Sequence, residues 1–245
     1  MEKEIKNKDI KDFYNTSIKK DKYKNNYEFN RWFTKPTLRL DYYMAHNSIQ
    51  YHIKDVVFKS CLEIGPGPGT WTRLLYRENM NAFFDLVDIS EEMFNQFKLE
   101  MREKENVHYN VADIFEFNLN KKYDLVFSSR AIEYFENKDD FLKKVFDSLS
   151  DNGTGIIITK NPEYGFRKND KRWQHSGQIG VDQFSEKLKN LGFKNIKIYP
   201  VIMRTPILDR FSLSTSEKIY KNVYNKEISK KILRLTESYL VKFSK

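Results

Sequence analysis

At 245 residues, 40% apolar and 31% charged, the chain is long enough for one α/β domain with a full core plus a small appended cap, and its composition excludes a disordered one. Its net charge of +9 admits an anionic partner, but 32 of the 43 basic residues are Lys, spread among acids, where base-edge and bidentate phosphate recognition favour Arg. The single cysteine, Cys61, excludes an internal disulfide and a multi-cysteine zinc cluster.

No run approaches the roughly 18 apolar residues of a membrane span, and residues 1–11 are charged where a signal peptide is apolar, so the expected location is the cytoplasm. Residues 1–57 read as a helical N-terminal cap. Leu38, Tyr42, Ala45, Ile49, Ile53 and Val56 recur at spacings of three and four after the start signal at Pro36. Upstream, the aromatics Phe13, Tyr14, Tyr23, Tyr27, Trp32 and Phe33 stand in a polar background and need something to cover.

From residue 58 short apolar runs alternate with amphipathic helices, the pattern of a parallel sheet with helices on both faces. The runs are 60–64, 82–87, 107–111, 123–127, 155–158 and 196–201. The core thus spans residues 58–202. A helical insertion over 203–236 follows, with a final strand within 237–245, and all four parts form one domain. The insertion's Lys218, Lys221, Lys226, Lys230, Lys231 and Arg234 make it a candidate for a membrane-surface contact.

The first strand runs into Gly65-Pro66-Gly67-Pro68-Gly69, and helix N–H groups from Thr70 follow. The spacing is G-x-G-x-G, where a pyrophosphate-binding loop has G-x-G-x-x-G. Glu63, in the strand itself, suits an ammonium group and repels phosphate, so the loop favours a cationic, phosphate-free adenosine ligand. Asp88, 23 residues after Gly65, is placed to accept from ribose hydroxyls. Asp113 is placed to accept from an adenine amino group, with Ile89, Met93 and Ile114 sandwiching the purine.

Five segments in order carry a resemblance: Leu62–Gly69, Leu86–Ser90, Ala112–Ile114, Tyr123–Ser129 and Leu149–Thr154. Across residues 61–160 the chain resembles a class I S-adenosylmethionine-dependent methyltransferase of the small-molecule, methyltransferase type 11-like group. The resemblance implies a Rossmann-like seven-stranded, mostly parallel sheet with an antiparallel last strand. It also implies S-adenosyl-L-methionine as donor, S-adenosyl-L-homocysteine as product, and Pro66, Ala112, Ser129 and Arg130 as further cofactor neighbours.

Methyl transfer from a sulfonium is an in-line displacement that asks the protein mainly to align the acceptor and exclude water. Glu133, Tyr134 and His175 are the candidates for a base or orienting group, and Arg130 for an anionic acceptor or a neighbouring carboxylate. The cap and the insertion are expected to cover the acceptor pocket together. The expected acceptor is an oxygen or nitrogen of a small molecule, a glycan or a lipid-linked compound.

Three rival functions are weighed, one of them a catalytically silent cofactor-binding module that would bind the cofactor without turnover. An RNA methyltransferase is favoured by charge, but Ser128-Ser129-Arg130-Ala131 stands where base-amine methyltransferases resemble one another in an Asn/Asp-Pro-Pro-aromatic motif. A nicotinamide oxidoreductase or epimerase is disfavoured by Thr70 in the third glycine's place. His46 and His52 are six apart, off the spacing of a helical metal pair, and with His108 read as structural, so no metal is expected.

Overall fold

A computed structural model describes residues 7–19, 26–165, 177–204, 217–218 and 220–245. Seven strands form one sheet in the spatial order 3-2-1-4-5-7-6. They are β1 (Ser60–Ile64), β2 (Phe83–Asp88), β3 (Val107–Val111), β4 (Tyr123–Ser129), β5 (Leu149–Lys160), β6 (Lys194–Met203) and β7 (Thr236–Ser244). β7 lies between β5 and β6 and runs antiparallel to both, while the pairs among β1 to β5 are parallel. Strand order reverses at β1 and β4, so the carboxyl ends of these two strands open the crevice where ligands bind in such sheets.

Helices α4 (Thr72–Glu78), α5 (Glu91–Glu100), α6 (Lys138–Ser148) and α7 (Val181–Asn190) connect the strands. Side-chain alternation divides the core in two. Cys61, Leu125, Phe127, Ile156, Ile158 and Leu240 pack on one face of the sheet, and Leu62, Ile64, Val126, Ile157, Tyr239 and Val241 on the other. Asn137 and Ser90 cap α6 and α5 with side-chain oxygens, each accepting from N–H groups of the first turn. Gly192, at φ +91°, ends the turn after α7, a conformation that favours glycine.

Before the sheet come α1 (Asn7–Lys19), α2 (Tyr27–Trp32) and α3 (Pro36–Ile53), with Pro36 in the first turn of α3. The buried face of α3 is wider than its apolar spacing predicts. Asp41, Met44, Ser48 and His52 are buried besides Ala45, Ile49 and Ile53. The reason is a second contact: Met44 packs with Met203 and Tyr220, and the Tyr220 hydroxyl donates to the Met44 carbonyl. Burial also pushes His52 down to about 4, its ring lying 4.0 Å from that of Tyr199.

β5 is longer than the run 155–158. It pairs Leu149 with Tyr123 and Thr154 with Leu125, so the strand spends three extra residues in a bulge, which Asn152 turns at φ +65°. Over the insertion, a short helix, α8 (Lys230–Leu233), is the one placed immediately before β7, and residues 205–216 lie outside the described residues. No helix among the described residues is long and apolar enough to cross a membrane.

Candidate active site

The loop after β1 lies on the end of β2. Gly65 N–H donates to the Val87 carbonyl at 2.9 Å, and Gly67 N–H donates to Asp88 Oδ2 at 2.9 Å. Gly65 stands at φ +72°, and a Cβ there would lie 2.8 Å from that of Ala131, so the turn after β4 closes directly on this glycine. Gly69, at φ +80°, has a further reason to be glycine. Its Cβ would strike the Phe97 ring at 2.5 Å, which makes it a packing position for α5.

These elements frame an open cavity of ≈ 1330 Å³, mouth included. Gly65, Pro66, Gly67 and Thr70 line one side, followed by Asp88, Ile89 and Met93 from the end of β2 and the start of α5. Ala112, Asp113 and Ile114 come from the turn after β3, and Ser129 and Arg130 from the end of β4. Asp88 Oδ1 accepts from Ser90 N–H at 2.9 Å and Oδ2 from Gly67, which leaves each oxygen a lone pair for a ribose hydroxyl. Burial pushes the Asp88 carboxyl up to about 6, against the pull of those N–H groups. A slot walled by Ile89, Met93 and Ile114 beside two carboxylates suits an adenosine.

Three expectations need correction or fall elsewhere. Glu63 does not line the cavity. It is 1% exposed on the opposite strand face from Leu62 and Ile64, where its Oε2 accepts from Thr72 Oγ1 at 2.6 Å, and burial pushes it up to about 8. Glu133 is also turned inward, in a short 3-10 turn (Ile132–Tyr134). Its carboxylate takes Arg130 through Nε at 2.6 Å and Nη2 at 3.0 Å, Thr159 Oγ1 at 3.2 Å and Lys160 N–H at 2.8 Å. This pairing fixes the guanidinium of Arg130, whose backbone sits at φ +67° beside the cavity, a conformation sparse outside glycine. His175 lies outside the described residues.

Tyr134 does reach the cavity, where its hydroxyl is 2.6 Å from that of Tyr14 on α1. Burial raises the pKa of both, so both are phenols at neutral pH. Asn15 of the same helix accepts from Ser90 Oγ at 2.8 Å, so α1 is pinned to both sides of the mouth.

Trp32, one of the cap aromatics, does line the cavity, but sequence reasoning missed the rest of the far wall, Ala45, Ile158, Val201, Ile202 and Ser238, and the guanidinium of Arg31 near it. Strands β5, β6 and β7 bring their sheet-end residues there, and apolar periodicity marks such residues as core without saying which border a void. Ser238 Oγ is buried and has no hydrogen-bond partner among the described residues. Removing an unsatisfied buried hydroxyl leaves nothing behind to satisfy. Ser238→Ala is therefore expected to hold or slightly raise the melting temperature in calorimetry; a fall of several degrees would show a hidden partner.

Residues 62–154 match the family model of a methyltransferase domain. The malonyl-[acyl-carrier protein] O-methyltransferase 2 of Ilyobacter polytropus is 36% identical over 88 residues, which are 36% of this chain and 32% of that one. The chain thus spans about a third of the length of that curated relative. Over residues 62–154 the chain is thus similar to methyltransferase domains. Two solved structures share the fold. The plantazolicin methyltransferase BpumL, in complex with its demethylated cofactor, aligns at TM-score 0.58 and 16% identity over 87% of this chain and 92% of its own. A Listeria monocytogenes protein described as a putative S-adenosylmethionine-dependent methyltransferase aligns at 0.62 and 19%, over 84% and 99%. Asp88, Asp113 and the wall from Trp32 to Ser238 border one and the same cavity.

Proposed function

We propose that the protein transfers the methyl group of S-adenosylmethionine to a carboxylate oxygen of a small-molecule or carrier-bound acyl acceptor, giving a methyl ester. When bound, the cofactor supplies a methyl group already activated on a sulfonium. Gly65, Gly67 and Asp88 would hold its nucleoside end, and the methyl it supplies would go to a carboxylate oxygen aligned opposite sulfur, a transfer that would leave S-adenosylhomocysteine and a neutral ester and need no proton removed.

The observation that carries this reading is how the proton acceptors near Arg130 are engaged. Glu133 is enclosed by four donors, and the Tyr134 hydroxyl is held by Tyr14. An alcohol needs a base to become a nucleophile, and a carboxylate is ionised already at neutral pH. The protein's task is then to bind, orient and exclude water. The glycine loop and Asp88 hold the nucleoside end, and α1, through Tyr14 and Asn15, covers the mouth. The O-methyltransferase relatives named for malonyl-[acyl-carrier protein] lend support from sequence.

The test is chemical. Purified protein is incubated with methyl-labelled S-adenosylmethionine and a panel of carboxylic acids, amines and sugars, and the products are treated with alkali. A methyl ester releases labelled methanol, whereas a methyl ether or methylamine keeps its label. Label that survives alkali would sink the carboxylate reading while leaving methyl transfer standing.

A further inference from the structure

Four arginines among the described residues are half-buried, and three of them have a carboxylate. Arg130 is held by Glu133, Arg73 by Glu28, and Arg204 by Asp41 and Glu237. Arg31 differs. It lines the cavity from the last turn of α2, and among the described residues no carboxylate pairs with it. Its Nη1 donates to the Tyr27 hydroxyl at 3.1 Å, and its guanidinium carbon lies 4.9 Å from the centre of the Trp32 ring. A guanidinium has five N–H donors, so one is used here and four are left.

A half-buried cation without a counter-ion is costly, because packing removes the water that would solvate it. Its plane is also held from two directions, by the Trp32 ring and by the Tyr27 hydroxyl. A fixed, planar, unbalanced fork inside a ligand cavity has the shape that two carboxylate oxygens fill. We infer that Arg31 is a carboxylate-binding residue of this cavity, a role that no motif of the chain points to.

Two carboxylates reach such a cavity under the function proposed above, on which this inference rests: the amino-acid end of the cofactor and the reacting group of the acceptor. Both present the same chemistry to Arg31. The two sources differ in which ligand loses affinity when the fork is removed.

The experiment compares wild type with Arg31→Gln and Arg31→Lys by titration calorimetry. The probes are S-adenosylhomocysteine, then 5′-methylthioadenosine, which shares its nucleoside and thioether and lacks the amino-acid end, and finally malonyl-N-acetylcysteamine added to protein saturated with S-adenosylhomocysteine. If Arg31 holds the cofactor, Arg31→Gln weakens S-adenosylhomocysteine at least tenfold and methylthioadenosine less than twofold. If it holds the acceptor, both adenosine ligands bind as before and thioester binding is lost. Arg31→Lys falls between in either case, since it keeps the charge without the fork. Equal effects on both adenosine ligands with unchanged thioester binding overturn the inference and leave the function standing. A wild type that binds neither adenosine ligand overturns both. Melting temperatures within two degrees of wild type exclude a merely damaged fold.

Discussion

Asp88→Ala is expected to weaken S-adenosylhomocysteine binding by roughly 100-fold or more, since two hydrogen bonds to a charged acceptor at about 1.5–3 kcal/mol each are lost. The carboxylate has two tasks. It fixes the glycine loop by accepting from Gly67 and Ser90, and it keeps acceptor capacity toward the cavity. Asp88→Asn retains one oxygen acceptor and should fall between. Because burial pushes this carboxyl up to about 6, wild-type affinity should also decline as pH drops through 6, and Asp88→Asn should lose that dependence. Calorimetry between pH 5 and 8 reads both effects. Binding by Asp88→Ala within threefold of wild type would remove Asp88 from the cofactor site.

Glu63→Gln is expected to leave stability nearly unchanged at pH 5 and to raise it by roughly 2–4 kcal/mol at pH 9. In the folded protein, burial holds the Glu63 carboxyl at about 8, whereas in the unfolded chain it titrates in the ordinary carboxylate range near 4.3. Between those values the folded state keeps a proton that the unfolded chain has released. Stability is therefore full below the lower value and is lost as pH rises through the upper one. Glutamine cannot ionise, and its oxygen can still accept from Thr72 Oγ1. Urea unfolding at the two pH values checks this, and a variant no more stable than wild type at pH 9 would mean that Glu63 is solvated or paired when charged.

The sheet was legible because its physics is periodic. Parallel strands buried on both faces carry apolar runs, and those from Cys61-Leu62 to Ile156-Ile157 lie where the pattern places them, while β3 at the sheet edge is partly exposed. The loop was legible for a local reason: Gly65 at φ +72° against Ala131 leaves no space for a side chain. What the pattern withheld was which side of a strand the ligand sees. Glu63 shares a strand with the loop but points with Cys61 into the face under α4. Glu133 follows Arg130 at helical spacing, which reads equally as an exposed acid or as an internal ion pair, and Thr159 and Lys160 from another strand decide it. Arg31 was hidden among aromatics, and only the fold shows that no carboxylate among the described residues comes to meet it.

The position of β7 bears on how the molecule comes to be assembled. β6 joins the sheet only through β7, and β5 has its outer neighbour only in β7. Until residues 236–244 have been made and threaded between them, β5 is an open edge and β6 has no strand beside it. Sheet closure is thus a late, long-range event, of the kind that slows folding and leaves a nascent chain open to edge-to-edge association. The wall at Ile158, Ile202 and Ser238 comes from these same three strands, so that end of the cavity is completed only when the sheet closes.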